Sequence, residues 1–145
     1  MASTGATSDR PAASQWGSAV DGRRVYTANA NSSLTPWGPE GTTAGMWSAL
    51  AARAGAILWQ VAPPQGGGAS GPVTTTNGVV FGCSLDALGQ MYALDAATGD
   101  VRWQFASGSS CLSGAAISGG SVYWGVGVLQ LRFGTPNNRL YAFSR

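Results

Sequence analysis

The stretch Ala93-Leu94-Asp95-Ala96-Ala97-Thr98-Gly99-Asp100-Val101-Arg102-Trp103 decides how this chain folds. Asp95 and Thr98 flank a tight reversal, where short polar side chains bond to nearby backbone N–H groups. Gly99 suits the positive-φ position that such a reversal needs. Before the turn, Gln90 to Leu94 reads as a strand. After it, Val101, Trp103 and Phe105 alternate with Arg102 and Gln104, a period of two with one apolar face. The local unit is therefore a hairpin whose second strand carries a large planar ring. Trp103 offers that ring to whatever packs beside the hairpin.

The unit recurs along the chain. Residues 71–105 read GPVTTTNGVVFGCSLDALGQMYALDAATGDVRWQF, and residues 114–143 restart with GAAISGGSVYWGVG and resume, after an interruption, with NNRLYAF. An earlier copy runs WGSAVDGRRVYTANA, then, after a longer interruption, MWSALAARAGAILWQV. In that copy Ala49, Gly55 and Trp59 hold their places, while Ala51 and Ala54 stand where the second copy has Asp95 and Thr98. Trp59 and Trp103 are 44 residues apart, and Phe81 and Tyr123 are 42 apart. A period of ~40–50 residues is that of a four-stranded propeller blade. Gly22, Gly78 and Gly120 recur at the turn before the second strand of each copy. The fold expected is all-β: a β-propeller fragment of antiparallel blades over 16–145, about two full blades and an incomplete third. At most a helical turn or two is expected, near Ser48 to Arg53.

Composition agrees and removes much chemistry. The 145 residues hold 22 Gly, 7 Pro and 6 Trp but only 10% charged side chains, a balance suited to strands and tight turns. Histidine is absent, which excludes Ser-His-Asp and Cys-His catalysis, His-ligated zinc and His-ligated haem. A net charge of +2, carried by scattered arginines, gives no patch for nucleic acid. Residues 1–15 lack the apolar run of a secretory signal and read as a flexible leader or truncation scar. No stretch approaches the ~20 apolar residues of a membrane-spanning helix. Cys83 and Cys111, 28 residues apart, form no CxxC motif. They are either a disulfide between strands of adjacent blades or two small buried apolar residues.

Residues 93–103 resemble the tryptophan-docking motif A-x-D-x-x-T-G-x-x-x-W of pyrroloquinoline-quinone (PQQ) dependent dehydrogenase propellers, with Ala93, Asp95, Thr98, Gly99 and Trp103 filling every defining position. The motif's role is structural: docking tryptophans hold blades together. On this reading Trp103 is deeply packed, whereas Trp37, in Thr35-Pro36-Trp37-Gly38-Pro39, is a loop residue. The order of segments over about 15–145 is similar to the C-terminal third of PQQ-dependent alcohol dehydrogenases. Val122-Tyr123-Trp124-Gly125 and Asn137-Asn138-Arg139-Leu140-Tyr141-Ala142-Phe143 resemble the polyvinyl-alcohol dehydrogenase branch in particular.

The resemblance implies oxidation of an alcohol with electrons passed to PQQ beside Ca²⁺, in a periplasmic or secreted parent. Trp16 and Gly17 resemble a blade opening whose ring stacks on the quinone. Asn29 or Asn31, one of the two, resembles a supplier of an oxygen to Ca²⁺. The same residue types also serve in plain inter-blade packing and in turns. No carboxylate in QVAPPQGGGAS, between Trp59 and Gly71, matches the base that hydride removal requires. The chain alone is therefore expected to be inactive, with the remaining blades, or further copies of itself, as partners. The competing expectation is a non-catalytic propeller module for protein binding or scaffolding.

Overall fold

Three short hairpin turns set the architecture of the computed structural model, which describes residues 16–127 and 135–144. At Asn77-Gly78 and Gly119-Gly120 both central residues have positive φ (47° and 75°, 56° and 77°), the turn whose twist matches paired strands. The turn at Gly22-Arg23 uses positive φ at Gly22 alone (83°). Strand register places Gly22 level with Asn77 and Gly119, one position earlier than the recurrence of glycines suggests, because Val20 faces Val25 as Thr75 faces Val80.

Each turn opens an antiparallel meander. The first sheet runs β1 (Ala19–Val20), β2 (Arg24–Asn29), β3 (Met46–Ala51) and β4 (Ile57–Val61), each paired with the next. The second runs β5 (Thr74–Thr76), β6 (Val79–Cys83), β7 (Gln90–Asp95) and β8 (Val101–Ala106). The third holds β9 (Ala116–Ser118), β10 (Ser121–Gly125) and β11 (Leu140–Phe143). No helix occurs among the described residues. The expected helical turn near Ser48 to Arg53 is instead most of β3 and the bend after it. Pairing on both sides, with β2 and β4, overrides the helical preference of Ala49, Ala51 and Ala52.

The sheets meet face to face through aromatic side chains. Between the first two, Tyr26, Trp47, Ala49 and Trp59 pack on Val73, Val80, Tyr92, Leu94 and Ala96. Trp47 meets Tyr92 edge-on, with ring centroids 5.1 Å apart. Its indole lies so close over Gly82 that a Cβ there would come within 2.5 Å of Nε1. Gly82 thus marks a close approach between sheets, where any side chain would force them apart.

The outer joint of the same interface lies at the Asp95–Asp100 turn. Asp95 accepts hydrogen bonds from Ala97 N (2.6 Å) and Thr98 N (3.0 Å), and Gly99 N donates to Asp95 O (2.8 Å). Trp59 of the preceding sheet lies on this turn: its Nε1 donates to Ala96 O at 3.1 Å. A Cβ on Gly99 would stand 2.9 Å from the Trp59 ring. Gly99 is needed twice, for its φ of 81° and for the indole above it. Tyr26 completes the joint, donating to Asp21 Oδ2 at 2.6 Å and lying 3.3 Å from Ala96 O. That hydroxyl bond first, then the N–H groups of Arg23 and Arg24, holds the Asp21 carboxyl down to about 2. Burial pushes the Tyr26 phenol up to about 12.

The second and third sheets are joined differently. Cys83, at the end of β6, is disulfide-bonded to Cys111 in the segment leading to β9, with Cα atoms 5.8 Å apart. Of the two readings open for these cysteines, the cross-link is the one the structure holds. Around it, Met91, Ala115 and Trp124 are buried, and Trp124 donates from Nε1 to Ser113 O at 2.9 Å. Trp103, by contrast, is 37% exposed and packed edge-on against Phe143 at 4.9 Å, and among the described residues no turn covers it as one covers Trp59. Trp37 is half-buried and donates to Ala44 O at 2.8 Å. The expected contrast between a deeply packed Trp103 and a loose Trp37 therefore gives way to one between Trp59 and Trp103.

Three outcomes follow for stability. Truncating a buried Trp costs ~3–5 kcal/mol, so Trp59→Ala should lower the urea midpoint far more than Trp103→Ala. Equal midpoints would place the joint elsewhere. Reducing the disulfide should cost about 3–4 kcal/mol, from the loop that Cys83 and Cys111 close; melts with and without reductant measure it. Asp21 has a folded pKa below its unfolded one, so its contribution is present above ~pH 4 and is lost as pH falls towards ~2. Asp21→Asn should therefore weaken the fold at pH 7 and flatten the loss of stability between about pH 5 and pH 2. An unchanged acid profile would show that the carboxylate adds nothing to the joint.

Candidate functional site

In a meander of this kind, the segment before β1 and the β2–β3, β4–β5, β6–β7 and β8–β9 connections share one end of the sheets. The residues expected to hold a quinone and a metal lie at that end. Trp16 is 45% exposed. Gly17 lies against Pro72, and its carbonyl accepts a hydrogen bond from Val73 N at 3.1 Å, which ties the entry of the first sheet to the start of β5. That bond gives the Trp16-Gly17 pair a packing role between blades.

Asn29 and Asn31 are both buried, at 3% and 0% exposure. Asn29 Oδ1 accepts from Asn31 N at 2.7 Å, closing an Asx turn at the end of β2. Asn31 adopts a φ of 48°, which asparagine tolerates better than most residues. Its Nδ2 points into the β2–β3 loop, 2.9 Å from both Thr35 O and Thr43 O and 3.2 Å from Ala44 O. Asn31 is thus the brace around which residues 31–45 close, and Trp37 adds a second bond to Ala44 O. The other amide atom, Asn31 Oδ1, is buried without a hydrogen-bond partner, as are four further side-chain atoms of the described residues, Trp47 Nε1 and the Tyr92 hydroxyl among them.

A lone amide oxygen does not make a calcium site, which takes roughly six to eight oxygens including carboxylates. No group of three or more Asp, Glu, His or Cys side chains comes together among the described residues. Glu40 is exposed on the β2–β3 loop, and the described aspartates are engaged elsewhere. Asp86 accepts from Leu88 N and Gly89 N, both at 2.8 Å, and from Ser84 Oγ, and so shapes the β6–β7 loop. Asp21 and Asp95 hold turns at the opposite end of the sheets, where Arg102 pairs with Asp95. Asp100 accepts from Thr98 Oγ1 at 2.7 Å. The described residues by themselves therefore do not fit a PQQ and calcium centre: they provide one exposed ring and one spare amide oxygen, with no cluster of carboxylates beside them. Asp9 lies outside the described residues.

One polar feature escaped the sequence reading. The Tyr92 hydroxyl is buried near Ser84, the Gln65 backbone and Asp86, without a well-formed hydrogen bond. Burial first, and then the Asp86 charge, push it up to about 12. Nothing in the local sequence of β7 distinguishes Tyr92 from an ordinary core aromatic.

Comparison with known proteins agrees with the architecture. The chain covers 89% of itself and 36% of BamB from Moraxella catarrhalis, at 18% identity and a TM-score of 0.56. It matches a europium-containing methanol dehydrogenase over 88% of itself and 22% of that chain, at 22% identity and a TM-score of 0.63. A quinohemoprotein alcohol dehydrogenase from Comamonas testosteroni aligns over 77% of this chain and 17% of its own length, at 19% identity and a TM-score of 0.58. The chain thus spans about a third or less of each of these proteins, and at such identities the likeness is one of fold. A search of curated proteins found no match. The profile of the PQQ_2 family, described as outer membrane protein assembly factor BamB, matches residues 43–144. With antiparallel sheets built on a PQQ-type repeat and most of its length inside that profile, the chain belongs to the PQQ_2 family of β-propeller proteins.

Proposed function

We propose that this chain is a non-catalytic propeller module that works through its blade surfaces as a protein-binding scaffold. The observation that carries this reading is the engagement of its polar side chains in the backbone. Asn29 and Asn31 close and brace the β2–β3 loop, and Asp21, Asp86, Asp95 and Asp100 each accept hydrogen bonds within a turn. A catalytic carboxylate needs a lone pair aimed at substrate. The four aspartates are aimed at N–H and O–H groups of the fold, and the remaining described acid, Glu40, is exposed on the β2–β3 loop.

The second reading makes the chain part of a PQQ-dependent alcohol dehydrogenase of the polyvinyl-alcohol dehydrogenase branch. Val122–Gly125 and Asn137–Phe143 favour it, as does the exposure of Trp16 at the end of the sheets where a quinone would stack. On that reading Trp16, Gly17 and one of Asn29 and Asn31 would be this chain's share of a PQQ and Ca²⁺ site whose base and remaining ligands other blades supply.

PQQ binding separates the two, since the chain alone is expected to reduce no dye on either reading. With Ca²⁺ present, PQQ should not quench the chain's tryptophan fluorescence saturably. Saturable PQQ binding that disappears in Trp16→Ala would overturn the binding-module reading in favour of the dehydrogenase part.

A further inference from the structure

The turns that follow β3 and β7 hold equivalent places but differ in one side chain. Arg24 faces Ala51 as Val79 faces Asp95, so Ala51 stands where the second sheet has Asp95. The backbone bonds repeat as well. Ala51 N donates to Ala56 O as Asp95 N donates to Asp100 O, and Gly55 N donates to Ala51 O as Gly99 N donates to Asp95 O, all at 2.8 Å. Gly55 shares the positive φ of Gly99, 65° against 81°. The first turn therefore has the backbone shape of the second without its carboxylate.

In the second turn that carboxylate has two kinds of partner. Its Oδ1 accepts from Ala97 N at 2.6 Å and Thr98 N at 3.0 Å, and its Oδ2 pairs with Arg102. Two successive N–H groups and a guanidinium thus converge on one oxyanion, a charge-assisted arrangement. The equivalent N–H groups of the first turn belong to Arg53 and Ala54, and the methyl group of Ala51 offers them no oxygen. Leu58 stands where Arg102 stands, but other arginines are at hand. Gly22, Arg23, Ala51, Ala52 and Arg53 line a cavity of about 370 Å³ beside the turn. Among the described residues neither Arg23 nor Arg53 has an ion pair. Asp21, the nearby acid, is paired with Arg24 and accepts from the Tyr26 hydroxyl. Three arginines thus accompany one aspartate around the two turns of the first sheet, which leaves the cavity in a positive field.

We infer that this cavity binds a carboxylate from outside the chain, held by the Arg53 and Ala54 N–H groups and by the guanidinium groups of Arg23 and Arg53. The second turn supplies the template for the ligand: an oxyanion the size of an aspartate side chain, bridging two N–H groups and meeting an arginine. The cavity has room for more than one carboxyl group. A free dicarboxylic acid and an acidic side chain of a partner protein both carry the required chemistry. Docking of a tryptophan on the turn does not compete, because the second turn holds the Asp95 carboxylate and Trp59 together. The site lies at the end of the sheets away from Trp16 and Asn31, so it stands whichever reading of the function holds.

Titrating the isotope-labelled full chain with succinate tests the site by nuclear magnetic resonance. Saturable shifts of the Arg53 and Ala54 amide signals are expected at millimolar ligand, since exposed charge pairs are individually weak in water. Arg53→Gln should weaken binding severalfold. Ala51→Asp supplies a carboxylate from within, so it should abolish the succinate shifts, move the same two amide signals without ligand and raise the thermal midpoint. A blocked Gly-Asp-Gly peptide identifies the source. Tighter binding than succinate assigns an acidic segment of a partner protein, and weaker binding assigns a free dicarboxylic acid. Absence of saturable shifts at Arg53 and Ala54 in a chain with a dispersed β-type spectrum would overturn the proposal. So would undiminished succinate binding by the Ala51→Asp chain, or shifts equalled by chloride at the same ionic strength, which reduce the effect to screening.

Discussion

The contact between Trp59 and the Asp95–Asp100 turn is the constraint on which the stacking of the sheets depends. It joins a side chain of one hairpin to the backbone of the next through a hydrogen bond to Ala96 O and a flat apolar face over Gly99. Because the partner is backbone, the turn must be held in one shape before the indole can use it. Asp95 does this by accepting from two N–H groups, and Gly99 by adopting a φ that other residues resist. Tyr26 adds a hydroxyl to the same carbonyl and ties it to the charge of Asp21. A change at any one of these residues is felt at the interface between sheets.

The two joints in this chain solve the same problem by different chemistry. Between the first and second sheets, aromatic rings over glycine exclude water: Trp59 over Gly99 and Trp47 over Gly82. Between the second and third, the Cys83–Cys111 cross-link holds the segment before β9 against β6. Trp124 and Met91 pack around it.

The polar groups follow the same economy. Asparagines and aspartates are few, and nearly all those described complete turns or braces. Asn31 is the clearest case. Its amide meets three carbonyls of a loop that has no regular structure, and buried carbonyls without donors would be costly. A side chain engaged in this way has little freedom to reorganise around a cation, and on this the choice between scaffold and dehydrogenase turns.

Much of the fold was legible from residues alone because its signals are local. Period-two alternation at Val101, Trp103 and Phe105, the Asn77-Gly78 turn and the Asp95–Gly99 reversal each depend on neighbours a few positions away. Repetition at about 44 residues then multiplies one hairpin into blades. The strand at Met46–Ala51 was not legible, since its alanines favour helix and only pairing with β2 and β4 makes it extended. Nor could local sequence tell Trp59 from Trp103. The two hold equivalent places in the repeat, and Trp59 is buried because the Asp95–Asp100 turn of the next sheet receives it. The cysteines and the Asn29-Ala30-Asn31 pair were ambiguous for the same reason. A thiol's partner and an amide's direction are set by segments brought together in space, and no spacing along the chain encodes them.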